Sequence, residues 1–244
     1  MKKFLLAILM FFPLVCSSCS CHSFDLETYE TAVTNFKNCT GLEYELTITT
    51  KVEDQLYYIK DEYKNKYVFS TTGKVIDFSS EMKRYKISTP LNSPEGAPML
   101  MSTLNRYYVG EEGKFYIKTV EENSRENKNV EVITYEEKYA GEKDLYNSKN
   151  ILPTFAGNDL GNFQIGDLET QDGYSTSIFN APVPSYLTST ETSVLYSVTM
   201  DKDFFFDTVS FVVINGKTAT SYEYRFLNYN SAVTVRFPQD LGSY

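Results

Sequence analysis

Two periods of apolar and polar residues alternate along the chain from residue 26 onward. Leu26, Tyr29, Val33 and Phe36 recur at helical spacing. They predict one amphipathic helix, with Asp25 able to cap its start and Gly41 following its end. The period then falls to two: Leu42, Tyr44, Leu46, Ile48 and Thr50 alternate with Glu43, Glu45, Thr47 and Thr49, the mark of a strand with one wet face. Shorter alternating runs follow at 67–71, 75–78, 84–88, 106–109 and 114–119, the last two joined by Glu111-Glu112-Gly113. The polar stretch 121–129 predicts an exposed loop before a strand over 130–135. Three prolines interrupt 89–98, and glycines are scattered through 149–166, so neither segment predicts an element. Strands return over 174–179, 194–200, 204–214, 218–227 and 232–237, with tight turns at Asp201-Lys202-Asp203 and Asn215-Gly216. No fixed repeat or heptad pattern divides the chain. The pattern therefore predicts a single α+β domain dominated by antiparallel strands over 25–244.

The first residues obey a different logic. Met1-Lys2-Lys3 is followed by twelve apolar residues, Phe4 to Val15, broken only by Pro13, and then by small polar residues, the order of a secretory signal peptide. That run is too short to span a hydrocarbon core, which needs about 20 helical residues. Where it ends stands the cluster Cys16-Ser17-Ser18-Cys19-Ser20-Cys21. This junction resembles the lipobox of bacterial lipoproteins, in which a small residue precedes a cysteine that receives a diacylglyceryl group before the signal is cut. The resemblance implies a signal peptide over 1–18 and a lipidated tether over 19–24, with fatty chains such as palmitate on Cys19. Ser18-Cys19 satisfies the small-residue rule. Cys16, which has Leu14 and Val15 before it, is the alternative attachment site. The expected location is the extracytoplasmic face of a bacterial membrane.

Charge sharpens this reading. The chain carries 23 basic and 32 acidic residues, a net charge of −9, and losing Lys2 and Lys3 with the signal makes it −11. Such a surface repels nucleic acid and anionic headgroups, so polybasic attraction cannot hold the protein to a membrane. A hydrophobic anchor must do so.

The search for chemistry is mostly negative. The single histidine, His22, lies in the tether, which removes Ser-His or Cys-His catalysis and a His-ligated metal from the domain. Of four cysteines, Cys39 alone lies in the folded part; pairing with Cys21 is open to it, and a buried unpaired thiol is the preferred expectation. Asp201, Asp203 and Asp207 lack the glycine and terminal glutamate of an EF-hand and read as turn residues. The pairs Glu111-Glu112 and Glu136-Glu137 read as solvated surface, and Gly110–Gly113 and Gly157–Gly161 lack the Lys-Ser/Thr of a phosphate loop. No cofactor, no metal and no enzymatic activity are expected. What remains is a wealth of aromatics, 20 Tyr and 17 Phe without Trp, which either pack a core or line a cavity for acyl chains.

The order of elements also resembles the LolA-like group of envelope proteins, including lipoproteins of the LppX and LprG type. The most telling stretch runs from Tyr196 to Asp203, then through Val209–Val213 and Tyr222–Phe226 to Tyr229–Pro238. The resemblance implies an N-terminal helix followed by a strongly curved antiparallel sheet, an incomplete β-barrel. It also implies a hydrophobic ligand, a lipid or an acylated protein, on the concave side. The alternative is a non-catalytic interaction or sensor protein whose interior is packed solid.

Overall fold

A computed structural model describes residues 26–90, 94–111, 114–123, 128–137, 152, 169–171, 174–184 and 187–239. Asp25, Cys16, Cys19, Cys21, His22 and the boundaries near 18 and 24 lie outside the described residues, as does Gly157–Gly161.

Helix α1 spans Leu26–Asn38, carries Glu27 in its first turn and Lys37 in its last, and so places charge to suit the helix dipole. It is followed by β1 (Gly41–Val52), β2 (Tyr57–Phe69), β3 (Val75–Ser88), β4 (Met99–Val109), β5 (Lys114–Asn123) and β6 (Lys128–Glu137). The remaining strands are β7 (Glu169–Gln171), β8 (Tyr174–Pro182), β9 (Ser193–Met200), β10 (Phe206–Asn215) and β11 (Thr218–Tyr229). All pair antiparallel in one sheet of order β6-β5-β4-β3-β2-β1-β11-β10-β9-β8-β7. Two meanders are thus joined where β1 meets β11. The outermost strands, β6 and β7, stand at opposite edges, so the sheet does not close into a barrel. The expected α+β class, a helix followed by an open antiparallel sheet, holds.

The alternation in β1 decides which face is which. Leu42 and Tyr44 are buried in the core, whereas Glu43 and Glu45 point outward, where Lys66 and Arg225 meet them at 2.8 and 3.8 Å. On the inner face aromatic rings form a continuous band across seven strands: Phe179, Tyr196, Phe211, Tyr224, Tyr44, Tyr67 and Phe78, with neighbouring centroids 4.5–6.4 Å apart. Helix α1 seals the β8–β11 end of this band. Tyr29 meets Phe179 and Phe206 edge-on, and Phe36 meets Phe206 and Phe226 in the same way. Edge-to-face geometry suits the ring quadrupoles and lets large side chains fill the space densely. Cys39 and Leu152 are buried in the same core.

Several sequence expectations need correction. The runs 75–78 and 84–88 are two ends of one strand, β3, and residues 57–66 belong to β2, which the alternation did not reveal. Met99 to Asn105 likewise belongs to β4. Residues 121–123 and 128–129, expected in a loop, lie in β5 and β6, and 124–127 lie outside the described residues. Gly41 is the first residue of β1 rather than a helix cap; a Cβ there would lie 2.3 Å from the Asn230 carbonyl oxygen, so it is required by close approach. Phe204 precedes β10 in a turn with φ +59, where Asp201 Oδ1 accepts the N–H groups of Asp203 and Phe205. In the β10–β11 hairpin Asn215 pairs with Thr218, and the loop itself is Gly216-Lys217.

The expected final strand over 232–237 is absent. Both edges of β11 are already occupied, by β10 and β1, so the chain leaving it has no edge to join. Instead Asn230 turns at φ +56, a short 3-10 turn covers Asn230–Ala232, and the chain carries Phe237 to an edge-on contact with Tyr107, 6.4 Å away.

Candidate functional site: the inner face of β1 to β4

Helix α1 has its ring contacts on β8–β11, so the inner face of the N-terminal meander has a different character. Residues directly opposite one another in an antiparallel pair point to the same face, and the register therefore reads out as rows. The first row, Leu42, Tyr67, Phe78 and Tyr108, continues the aromatic core. The second is Tyr44, Asn65, Ser80 and Arg106. The third is Leu46, Tyr63, Met82 and Leu104, and the fourth is Ile48, Asp61, Arg84 and Ser102. Apolar and polar rows thus alternate along the strands of one face.

Burial divides this surface unevenly. Ser80 is fully buried and Asn65 is 4% exposed, whereas Leu46, Ile48, Ile59, Tyr63, Leu104 and Tyr222 are partly exposed. The exposed rings and aliphatic chains form a strip beyond the reach of α1. In the fourth row Arg84 Nε and Nη2 donate to Asp61 Oδ1 and Oδ2, each at 2.8 Å, a two-pronged pair with Asp61 buried and Arg84 about half exposed. The Asp61 carboxylate holds the Arg84 guanidinium above its ordinary pKa. Burial, and then the Asp61 charge, raise the Tyr63 hydroxyl above its usual value, although Arg106 and Arg84 oppose this. Arg106 lies over the Phe78 ring at 5.9 Å.

The outer face offers a second concavity, a shallow depression of about 370 Å³ lined by Glu45, Thr47, Thr208, Ser210, Glu223 and Arg225. Tyr224 also lines it, and of its charged groups Glu45 lies 3.8 Å from Arg225. Asp207, next to this surface, is raised by burial, which outweighs the opposing effect of Arg225.

The residues singled out in the sequence fall in different places. Asp201 and Asp203 serve a turn, as their hydrogen bonding shows, and Asp201 also accepts from Phe205 N–H. Phe206 and Phe211 are core, Val212 faces out, and Phe204 is 40% exposed. Phe179, Tyr196, Phe206, Phe211, Tyr224 and Phe226 in the β8–β11 half are therefore packing residues. Among the described residues no cluster of three metal-ligating side chains occurs, and no helix is long and apolar enough to cross a membrane. The polar row through Asn65, Ser80 and Arg106 drew no attention in the sequence. Its only trace there is that polar residues occupy core-facing positions of β2 and β3, which register alone brings together.

No protein-family model matches the chain, and no curated protein matches it. Similar solved structures include LprF from Mycobacterium bovis, with a TM-score of 0.43 and 11% identity over 87% of this chain and 95% of that one. The lipoprotein LppX from Mycobacterium tuberculosis gives a TM-score of 0.37 and 14% identity, covering 86% of this chain and 97% of that one. A DUF1329 family protein from Desulfovibrio piger gives 0.30 and 10% identity, covering 88% and 95% respectively.

Proposed function

We propose that this chain is an envelope lipoprotein, anchored through lipid on Cys19 or, alternatively, Cys16, that binds an apolar ligand on the inner face of β1 to β4. The 25–244 region acts as one binding domain at the extracytoplasmic side of the membrane, and it works by occupancy rather than catalysis. The observation that carries this reading is the partly exposed strip of Leu46, Ile48, Ile59, Tyr63 and Leu104, with Tyr222 of β11 beside Ile48, on the face that also carries the buried aromatic row. Covering such side chains releases about 25 cal/mol for each Å² of apolar area removed from water, a driving force that an acyl chain laid on the strip would supply. Polar groups interleaved with apolar ones are the usual composition of a site that orients an amphiphilic ligand.

Lipid extraction of protein purified from its own membrane tests the proposal. A bound acyl compound in near-stoichiometric amount, lost when Ile48→Asp places a charge in the strip, is the expected result. Protein that carries no lipid beyond its own anchor would defeat it.

One observation favours a second reading, an interaction or sensor protein with a packed interior: beneath α1 the inner face is filled by Tyr29, Ala32, Val33 and Phe36. Crosslinking in cells would then capture one specific envelope protein, and the strip would be its docking surface.

A further inference from the structure

The second row of the inner face contains polar atoms that no described residue answers. Ser80 and Arg106 are direct partners across β3 and β4, and Asn65 is the partner of Ser80 across β2 and β3. Ser80 Oγ and Arg106 Nε are both buried, and among the described residues neither has a hydrogen-bond partner. A guanidinium is charged at every accessible pH and only donates, and a serine hydroxyl can donate as well. Ser80 Oγ can accept as well as donate, yet no hydrogen bond joins it to Arg106, and a buried donor without an acceptor carries its full desolvation cost, so the pair points to an acceptor beyond the described residues.

Charge selects the acceptor. Among the described residues of β1 to β4 the carboxylate on this face is Asp61, and both of its oxygens already accept from Arg84. Lys86, in the next row toward the end of the strands, sits over the Tyr57 ring at 4.0 Å. The inner face of β1 to β4 is therefore cationic within a chain whose net charge is −9. On the outer face, by contrast, Glu43 and Glu45 meet Lys66 and Arg225. The rows on either side of Arg106 are aromatic and aliphatic, which disfavours a bare hydrated ion and favours an anion attached to an apolar body.

We propose that Arg106 and Ser80, with Asn65 beside them, form a headgroup subsite for an anionic amphiphile. The carboxylate or phosphate oxygens of the ligand receive the Arg106 and Ser80 donors, and its chain lies along Leu46, Tyr63, Met82 and Leu104. The inference rests on the apolar-ligand reading above and adds the sign and position of the headgroup. A forked guanidinium matches carboxylate and phosphate oxygens alike, so either source of the anion fits the same donors.

The test is native mass spectrometry of the full-length protein in a non-ionic detergent, offered oleate, a phosphatidic acid or methyl oleate at equal concentration, with inorganic phosphate as a separate arm. Retention of an anionic amphiphile at least about tenfold over methyl oleate is expected, the discrimination typical of one charge-assisted hydrogen-bonded contact. Arg106→Gln should abolish that preference, Arg106→Lys should keep part of it, and Ser80→Ala should weaken it, with thermal melts showing that the variants fold. A stronger response to phosphatidic acid than to oleate supports a phosphate headgroup, and the reverse supports a carboxylate. Equal retention of oleate and methyl oleate overturns the headgroup subsite while leaving the apolar-ligand reading intact. Retention of neither overturns both. Stabilisation by inorganic phosphate alone, without amphiphile retention, overturns the amphiphile in favour of a free anion.

Discussion

At the scale of single residues, the outer face is held by cross-strand charge pairs and the inner face by rings. Glu43 shows how much one such charge contributes. Burial by itself raises its pKa, but hydrogen bonds from Lys66 and Asn228, together with the Lys66 charge, outweigh this and hold the carboxyl below its ordinary value. A carboxylate whose folded pKa is depressed contributes stability that is present above its unfolded pKa and is lost as pH falls through the folded one. Glu43→Gln should therefore lower stability at neutral pH by about 0.5–1 kcal/mol and leave it equal to the parent in acid, once the carboxyl is protonated in the folded state as well. Urea unfolding at both pH values measures the difference; a gap that persists in acid would show that packing, not charge, is responsible. The same residue was legible in the sequence, because Glu43 and Glu45 alternate with Leu42 and Tyr44. Asp61 and Asn65 were not. They sit on the inner face of β2, where alternation demands apolar residues, and so they hid the first ten residues of that strand. Of these, Asn65 belongs to the proposed headgroup subsite, and Asp61 is held by Arg84 two rows away.

At the scale of elements, legibility followed the purity of the periodic signal. Helix α1, β1 and the four strands β8 to β11 were readable because each carries a clean stripe, whereas β4 starts within a proline-bounded stretch that masks its first half. The segment after β11 misled for another reason. Val233, Val235 and Phe237 alternate as a strand would, but pairing is a property of free edges, and β11 has none. Attachment of α1 also depends on a few rings. Phe36 is fully buried and touches Phe206 on β10 and Phe226 on β11, so it ties the helix to two strands of the second meander. Phe36→Ala should cost about 3–5 kcal/mol, the range for deleting a buried phenyl group. Hydrogen exchange would locate the loss: amides of Leu26–Asn38 should lose protection first, while those of β2 and β3 keep theirs. Uniform loss across the sheet would mean that helix and sheet unfold as one unit.

At the scale of the whole molecule, charge and anchor are linked. An acidic domain is repelled by anionic headgroups, and the few attractions that a surface of mixed sign supplies are screened within about 8 Å at physiological salt. On the proposed reading membrane residence comes from the cysteine cluster, which was the clearest functional signal in the sequence and lies outside the described residues. Each buried methylene contributes about 0.8 kcal/mol, so one acyl chain gives reversible binding and two or more make release negligible. Cys19→Ser should move the protein from the membrane fraction to the soluble one, and Cys16→Ser should leave it bound. Fractionation of cells followed by intact-mass measurement distinguishes the two, since the parent should carry acyl mass on a chain beginning at Cys19. Loss of anchoring in Cys16→Ser instead would move the modified residue three positions upstream and lengthen the tether by as many. Persistence of both variants in the membrane fraction after a high-salt wash would show that the folded domain itself holds the bilayer. In that case the apolar strip on β1 to β4, rather than the N-terminal lipid, would be the membrane contact.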